Sequence, residues 1–427
     1  MTEPQRQIVH PPEWPRYDEA TVQRAAELVR HGRTFDYKYG AELAALENRF
    51  AALHPGRQAL AVNSGTSALL AAYRVLDIGP GDEVVVPTMT FLATASPLLL
   101  LGATPVLCDS AAPTGNVTAE TIEPRLTRRT RAITVTHLFG HPCPMDEIIE
   151  LAGEHGIPVI EDCSHAHGST YHGRPVGTFG DLAVFSIGGL KIVSGGMGGI
   201  LLSKDRRHHD LAILLSSFQQ RSELTVADPG LRGLADFGLG CNLRISPVAA
   251  VLADSHLVRL PELVAAKHRN ISALVEALSS HEGVSGIPVG ADCTMGGWYD
   301  AIVAVDPERA GFTRDELIAA LQAEGVRARI PRTAPLHTAS VFRGEPAAAA
   351  LLRHGTPGRS DLRYDRAALP QSIDLHRRWV SLPATFFNDP AGALVQPYLN
   401  GIAAALERLD SDAGRKTRVT SGYSSLC

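Results

Sequence analysis

The stretch Ser186-Ile-Gly-Gly-Leu-Lys-Ile-Val-Ser-Gly-Gly-Met-Gly-Gly199 decides how the rest of the sequence is interpreted. It places Lys191 among six glycines and several apolar residues, with no other charged residue in the stretch. Burial penalises the charged form of a lysine and lowers its pKa, and the neutral amine is a nucleophile toward carbonyl carbons. The ordinary alternative is a lysine exposed on the surface. The run is not a dinucleotide-binding fingerprint, because a predicted strand over 200–202 follows it instead of a helix.

Two features upstream of Lys191 belong to the same chemistry. Asn63-Ser-Gly-Thr-Ser67 joins a predicted strand, Ala59–Val62, to a predicted helix, Ala68–Leu76. The first N–H groups of a helix lack internal partners and the dipole is positive there, so this turn can hold a phosphate; the alternative is an ordinary N-cap. Asp162 follows the predicted strand Pro158–Ile160, at the edge where open α/β sheets bind ligands. A phosphate turn, a strand-end carboxylate and a buried lysine, in that order, fit a pyridoxal phosphate site.

The segment Glu161-Asp-Cys-Ser-His-Ala-His-Gly168 also contains carboxylate, thiol and imidazole groups, all of which are possible metal ligands. Its His-x-His spacing lacks the i, i+4 register of a helical metal site, and no partner motif occurs elsewhere in the sequence. We therefore expect no metal at this segment.

The alternation of short β-rich runs with helical runs predicts the fold of the first half. Strands are predicted at 59–62, 83–86, 105–108, 132–135, 158–160, 182–185 and 199–202, and helices at 42–53, 68–76, 95–101 and 145–155. Strands that alternate with helices imply right-handed crossovers and a mostly parallel sheet with helices on both faces.

The second half has a different texture. Residues 247–278 are rich in Ala, Leu and Val and predict a long helix. A smaller α+β unit follows, with strands predicted at 300–305 and 326–330 and helices at 314–324 and 392–408. We predict an N-terminal segment and large α/β domain over 1–250, a long helix and small α+β domain over 251–409, and a mobile tail over 410–427.

Composition limits the class of protein. The chain has 427 residues, of which 44% are hydrophobic, and 40 Lys and Arg against 45 Asp and Glu give a net charge of −5. That balance gives no electrostatic reason to bind nucleic acid or an anionic membrane. The six cysteines include no C-x-x-C pair, so neither a zinc ribbon nor a disulfide framework is indicated. With no membrane-spanning run and no apolar signal segment, we expect a soluble cytoplasmic protein.

Taken together, the motifs resemble the DegT/StrS-type sugar aminotransferases, a branch of the fold-type I pyridoxal phosphate enzymes. The matching stretches are 63–69, 86–94, 101–106, 161–168, Ser186 with Lys191, 240–244, 324–331 and 335–337, within about residues 15–408. Trp14-Pro-Arg-Tyr-Asp18 and the run 162–168 also resemble aminohydroxybenzoate synthase, a member that forms an aromatic amine. The resemblance implies a fold-type I PLP-transferase, with a mostly parallel central sheet flanked by helices and a smaller α+β C-terminal domain.

The resemblance also implies a role for each matching residue. Lys191 would form a Schiff base with pyridoxal 5′-phosphate and later move a proton between the substrate carbon and the cofactor. Asp162 would pair with the pyridinium nitrogen and keep it protonated. Gly65, Thr66 and Ser186 would hold the phosphate.

Further implied contacts lie around the ring and at a subunit boundary. Phe91 would stack on the ring, although by residue type alone it could be a core aromatic. His165 would lie near the ring hydroxyl. Asn242 would reach the phosphate of the neighbouring subunit, which implies a homodimer with shared active sites. By family position alone, the candidates for substrate contact are Tyr37, Tyr299, Arg329 and His337.

Two positions depart from the family pattern. Gly188 stands where family members commonly carry a larger polar residue such as His or Gln, and Met197 stands where many carry Glu. Both changes remove polar groups that could lie near the substrate.

The function that the resemblance implies is transfer of an amino group from glutamate or glutamine to a carbonyl of a sugar, cyclitol or related ring in specialised-metabolite biosynthesis. The alternative with the same cofactor is a dehydrating or aromatising synthase of the aminohydroxybenzoate synthase type. A third interpretation is a non-catalytic protein that kept the fold, which predicts a degraded site. Asp162, Ser186 and Lys191 are nevertheless all present.

Overall fold

A computed structural model describes residues 14–343 and 369–423, with side chains described as far as residue 411. The helices are α1 (Glu19–Arg30), α2 (Ala41–Leu53), α3 (Gly65–Val75), α4 (Ser96–Leu100), α5 (Ala119–Ile122), α6 (Met145–His155), α7 (Arg206–Ser216), α8 (Gln219–Thr225), α9 (Pro247–Val258), α10 (Leu260–Ser279), α11 (Pro307–Ala310), α12 (Arg314–Ala323), α13 (Pro370–Arg378) and α14 (Val395–Tyr423). The strands are β1 (Gln58–Val62), β2 (Glu83–Pro87), β3 (Thr104–Cys108), β4 (Thr130–Thr136), β5 (Val159–Asp162), β6 (Thr170–Tyr171), β7 (Arg174–Pro175), β8 (Leu182–Ser186), β9 (Gly199–Ser203), β10 (Val284–Gly286), β11 (Cys293–Thr294), β12 (Asp300–Val305) and β13 (Trp379–Pro383).

A seven-stranded sheet in the order β1-β9-β8-β5-β4-β2-β3 forms the centre of the molecule. The predicted mostly parallel sheet is confirmed, and β9 is its one antiparallel strand, paired with β1 and β8. The loop from β8 to β9 contains Lys191 and no helix. Because a parallel crossover usually runs through a helix, this helix-free connection returns the chain antiparallel to β8.

Helices cover both faces of this sheet, as the strand pattern requires. Along β1, Leu60 and Val62 pack toward α3 and α7, whereas Ala59 and Ala61 pack toward α2 and α9. Successive side chains of a strand point to opposite faces, so a run that is apolar throughout is buried on both sides. The carboxyl ends of β4, β5 and β8 and the start of α3 therefore meet at one edge of the sheet.

A second, three-stranded antiparallel sheet, β10-β12-β13, packs with α10, α12 and α14 around a separate apolar cluster. The predicted strand at 326–330 is wrong. This run makes a single bridge, from Arg329 to Ser381, and β13 is the strand that lies along β12. Pro331 has no N–H with which to extend a ladder.

The predicted long helix over 247–278 is two helices. It breaks at Arg259, between α9 and α10. Pro261 explains the break, because a proline inside a helix removes one hydrogen bond and clashes with the carbonyl four residues earlier.

The last helix, α14, extends past the predicted 392–408. Side chains after residue 411, and residues 424–427 entirely, lie outside the described part of the chain, so the mobility of 410–427 stays a prediction, as does the domain division at residue 250. Among the described residues, no helix is both long and apolar enough to cross a membrane.

Candidate active site

A cavity of about 450 Å³ opens at the carboxyl edge of the seven-stranded sheet. Seven of the eight predicted site residues line it: Gly65, Thr66, Phe91, Asp162, His165, Ser186 and Lys191. The remaining wall includes Thr90, Thr136, Gly188, Met197, Tyr299, Arg332 and Thr333. Residues that are far apart in sequence therefore meet in one place.

The first turn of α3 forms one end of the cavity. Ser64 caps the helix, its Oγ accepting the N–H of Ser67 at 3.0 Å. A Cβ at Gly65 would lie 2.9 Å from Cβ of Ser186, so only glycine lets this turn approach β8 so closely. Gly65 and Thr66 thus present a helix N-terminus to the cavity, which is an anion-binding arrangement.

Asp162 is held in position by a chain of hydroxyl groups. Its Oδ2 accepts a 2.8 Å hydrogen bond from Thr94 Oγ1, and its Oδ1 accepts the N–H of Ser164 at 3.1 Å. Thr90 Oγ1 lies 2.7 Å from Thr94 Oγ1 and 2.9 Å from Thr136 Oγ1. Each hydroxyl has one proton, and Thr94 donates its own to Asp162. Thr90 must therefore donate to Thr94, and Thr136 to Thr90.

Lys191 is partly exposed and lines the cavity, and its amine lies next to an aromatic ring. Its Nζ lies 3.9 Å from the ring centroid of Tyr299. Burial lowers the pKa of Lys191 to about 8, although the negative charges of Asp162 and Asp300 oppose the shift. An amine with that pKa is neutral in about a fifth of the molecules near pH 7.4, against about a thousandth for an ordinary lysine, and the neutral form is the nucleophile and proton acceptor.

Lys267 of α10 is a second buried lysine, whose charged neighbours are Asp300 and Lys191. No sequence motif predicted it. It is 1% exposed, and burial lowers its pKa to about 7, with Asp300 opposing and Lys191 reinforcing the shift. Both carboxylate oxygens of Asp300 accept from Arg329 Nη2, at 3.1 and 3.0 Å. Lys267 follows Leu263 by four residues, on the buried face of α10. This spacing of four residues is the sequence feature that could have indicated a buried position for Lys267.

His165 is a neutral imidazole stacked inside the site. Its ring lies parallel to that of Tyr299, at 3.9 Å between centroids. Burial, and then the charge of Lys191, hold the pKa of His165 well below its ordinary value. Nδ1 accepts the N–H of Phe139 at 3.4 Å, so Nε2 carries the proton.

Phe91 and the two departures from the family pattern line the same cavity. Phe91 is 65% exposed, which rules out a core aromatic and leaves its stacking role as a prediction. A Cβ at Gly188 would lie 3.7 Å from its nearest neighbour, Oγ of Ser186, so the chain leaves open the space that a larger side chain would occupy. Met197 is also exposed. These two positions contribute no polar side-chain group except a thioether.

Asn242 is not among the residues that line the cavity within one chain. Its Oδ1 accepts from Arg244 Nη2 at 2.8 Å, and the Arg244 guanidinium lies over the rings of Tyr37 and Phe218. Tyr37 is therefore part of this surface group. The contact of Asn242 with a partner's phosphate stays a prediction.

Of the other substrate-contact candidates, only Tyr299 lines the cavity. Arg329 is paired with Asp300, and His337 is fully buried with Nδ1 2.8 Å from Thr88 Oγ1. Arg332 and Thr333 line the cavity in their place. They directly follow the 324–331 motif, but nothing in the motif itself singled them out.

His137, Glu161 and Cys163 are the one group in the described residues whose acidic, thiol and imidazole atoms lie close enough to share a metal ion. His137 Nδ1 accepts the N–H of Cys143, so its Nε2–H donates to Glu161 at 3.1 Å. Three backbone N–H groups, from residues 177, 179 and 180, also donate to Glu161, each at 2.8 Å. These bonds occupy the ligand atoms and tie β5 to the chain that precedes β8.

The groups in the cavity fit pyridoxal phosphate: a helix N-terminus for the phosphate, a carboxylate for the pyridine nitrogen and an amine of lowered pKa for the aldehyde. Residues 15–385 match the DegT/DnrJ/EryC1/StrS aminotransferase family. The chain belongs to this family. It is a pyridoxal phosphate-dependent aminotransferase, which confirms the enzyme class and the cofactor expected from the sequence.

Relatives of this chain differ in their named reactions. A protein from Streptoalloteichus tenebrarius, named provisionally as an L-glutamine:3-amino-2,3-dideoxy-scyllo-inosose aminotransferase, is 31% identical over 386 residues, 88% of this chain and 91% of that protein. An aminotransferase structure from Psychrobacter cryohalolentis aligns with a TM-score of 0.80 at 28% identity, covering 94% of this chain and all of that one. The structure of 3-amino-5-hydroxybenzoic acid synthase aligns with a TM-score of 0.77 at 25% identity, with the same coverage.

Proposed function

We propose that this aminotransferase moves the amino group of glutamate or glutamine to a carbonyl of a sugar, cyclitol or related ring in specialised-metabolite biosynthesis. The observation that carries the proposal is the meeting of Lys191, Asp162 and the first turn of α3 in one cavity. The names of the relatives, which include a cyclitol aminotransferase, support a ring ketone as acceptor.

When bound, pyridoxal phosphate supplies the aldehyde that takes up the amino group and the ring that delocalises the electrons of the substrate carbon. Gly65, Thr66 and Ser186 bind the phosphate and fix its position. Asp162 holds a proton at the pyridine nitrogen, and the threonine chain keeps the carboxylate aimed there. Lys191 would hold the aldehyde of the resting cofactor and would move a proton between the substrate carbon and the cofactor in each half-reaction.

We assign the acceptor to the part of the cavity beside Gly188 and Met197. This part is open and has few polar groups on one side. Gly188 and Met197 leave room there without adding a charge. On the other side, Tyr299, Arg332 and Thr333 offer hydroxyl and guanidinium groups that can hydrogen-bond the hydroxyls of a ring. We propose that these three residues orient the acceptor.

The surface around Asn242 supports a homodimer. Phe237 and Leu239 are 74% and 67% exposed, and Phe218 lies beside them at 38%. An exposed group of large apolar side chains is characteristic of an interaction surface. We propose that two chains pair here and that Asn242 of one reaches the phosphate bound by the other.

A cytoplasmic location also belongs to the proposal. The five cysteines among the described residues are free thiols, and three of them are buried. Unpaired cysteines are ordinary in a reducing compartment.

The reaction can be tested with purified holoenzyme, amino donors and a panel of ring ketones. A transaminase releases one 2-oxo acid for each ring aminated, in ping-pong order. Amination without 2-oxo acid release, or loss of water from an amino-ring precursor with no donor present, would favour the dehydrating or aromatising synthase instead.

Shared sites can be tested by mixing two impaired variants, Lys191→Ala and Asn242→Ala, at limiting cofactor. If Asn242 acts across the interface, one site of each mixed dimer has both residues, and activity returns to about a quarter of wild type after random exchange. If Asn242 acts within its own chain, no site is complete and mixing restores nothing.

A further inference from the structure

Residues 14–17, at the start of the described chain, are hydrogen-bonded to the loop 187–198 that carries Lys191. The indole Nε1 of Trp14 donates a 2.9 Å hydrogen bond to the backbone carbonyl of Lys191. The hydroxyl of Tyr17 donates a 3.0 Å hydrogen bond to the carbonyl of Ser194. Two aromatic side chains from one short segment thus hold the loop at Lys191 and just beyond it.

His256 of α9 completes this arrangement. Its ring stacks between Trp14 and Tyr17, with centroids at 4.7 and 4.8 Å and interplanar angles of 17° and 14°. Nδ1 accepts the N–H of Ser194 at 3.1 Å, so the proton is on Nε2, which donates to the carbonyl of Arg16 at 2.8 Å. Both ring nitrogens are engaged, and the residue is 1% exposed. His256 therefore joins the loop, the N-terminal segment and α9.

The loop needs support from outside because its own sequence is flexible. The stretch 186–199 contains six glycines, each of which has the largest backbone entropy to lose on ordering. Several of them cannot be replaced, since a Cβ at Gly195 would lie 2.5 Å from the carbonyl oxygen of Ala249. Proton transfer nevertheless requires the amine to be held close to its productive position.

We propose that Trp14, Tyr17 and His256 form a clamp that positions Lys191 for proton transfer. They are positioning residues, because they act through the backbone of the loop and do not line the cavity. The proposal rests on the proposed role of Lys191. The clamp makes the N-terminal segment part of the active-site scaffold, although that segment lies far from Lys191 in the sequence.

The test uses holoenzyme of Trp14→Phe and Tyr17→Phe, each of which removes one hydrogen bond and keeps the ring. Loss of one such bond should lower kcat for the donor half-reaction about three- to tenfold, with the donor KM unchanged. Hydrogen exchange over 188–196 should accelerate, and the pH midpoint of the bound cofactor's visible absorption should shift. Tyr398→Phe is the matched control, because its hydroxyl accepts one backbone hydrogen bond, from Arg327 N–H, outside the cavity lining.

His256 provides a second comparison. His256→Asn keeps one acceptor and one donor and should retain more kcat than His256→Ala at similar stability. If the Trp14 and Tyr17 variants lose thermal stability as Tyr398→Phe does, while kcat, loop exchange and the absorption midpoint stay at wild-type values, the clamp is only structural and the proposal is wrong. The exchange and absorption measurements need no ring substrate, so they remain decisive if the proposed acceptor class fails.

Discussion

The amine of Lys191 lies 3.9 Å from the ring centroid of Tyr299, and the imidazole of His165 stacks on the same ring at 3.9 Å between centroids. Tyr299 immediately precedes β12, in the smaller sheet, whereas Lys191 and His165 follow strands of the large sheet. The second half of the chain therefore supplies one wall of the site. The face of a tyrosine ring attracts a protonated amine, although the ring carries no formal negative charge.

Lys191→Ala should abolish transamination without unfolding the protein, because Lys191 is the only lysine among the described residues that line the cavity. Lys204→Ala, at an exposed lysine just after β9, is the control and should keep wild-type activity. Activity and thermal unfolding are measured on both variants. If Lys191→Ala keeps some turnover, the double variant Lys191→Ala/Lys267→Ala shows whether Lys267 supplies a substitute amine, since the turnover would then disappear. Substantial turnover in the double variant would contradict the assignment of Lys191.

The reactivity of Lys191 should rise with pH around a midpoint near 8. Burial lowers the pKa of Lys191 to about 8, and only the neutral amine reacts with an aldehyde. Reductive labelling of the cofactor-free protein with a small aldehyde, followed by peptide mass spectrometry, measures this midpoint. Lys204, which is exposed, serves as the reference lysine in the same digest. A midpoint for Lys191 close to that of Lys204 would show that the amine is solvated in solution.

Thr94→Val should weaken the function of Asp162 without removing its charge. The substitution deletes the 2.8 Å hydrogen bond to Oδ2, and one hydrogen bond to a charged group contributes about 1.5–3 kcal/mol. We expect a rise of about tenfold to hundredfold in the cofactor dissociation constant, measured by equilibrium dialysis. Asp162→Asn should impair both binding and turnover more severely. Equal and wild-type affinities in both variants would exclude the contact between Asp162 and the pyridine nitrogen.

Glu161→Gln should destabilise the protein and remove part of its sensitivity to acid. Burial tends to raise the pKa of Glu161, but the hydrogen bonds donated by His137 and by the backbone N–H groups outweigh it and hold the pKa below its ordinary value. The stabilisation is therefore complete above the ordinary carboxyl pKa and is lost as pH falls through the lower, folded value. Losing a hydrogen bond to this buried charged group should cost about 1.5–3 kcal/mol.

The check on Glu161 is a series of urea unfolding curves from neutral to acidic pH. Glu154→Gln, at an exposed carboxylate of α6, is the control and should follow the wild type throughout. An unchanged free energy of unfolding in Glu161→Gln at neutral pH would contradict the role of this buried carboxylate.

The sequence by itself determined the local elements and the order of the chemical groups. All seven strands of the large sheet were predictable, because β1 and its neighbours are short apolar runs separated by turns, and α6 was predictable from its helical spacing between Cys143-Pro144 and Gly156. The resemblance assigns seven site residues an order along the chain, from Gly65 through Asp162 to Lys191; all seven line one cavity, and their roles stay predictions.

Only the tertiary structure decided which distant groups meet. The antiparallel direction of β9, the break at Arg259 and the replacement of the predicted strand 326–330 by β13 depend on which partners are available in space. Lys267 and Trp14 reach the neighbourhood of Lys191 from elements that carry no motif for it. Local pattern reports the conformation that a few neighbouring residues prefer, whereas contacts between distant residues depend on how whole elements pack, and that packing is a property of the complete fold.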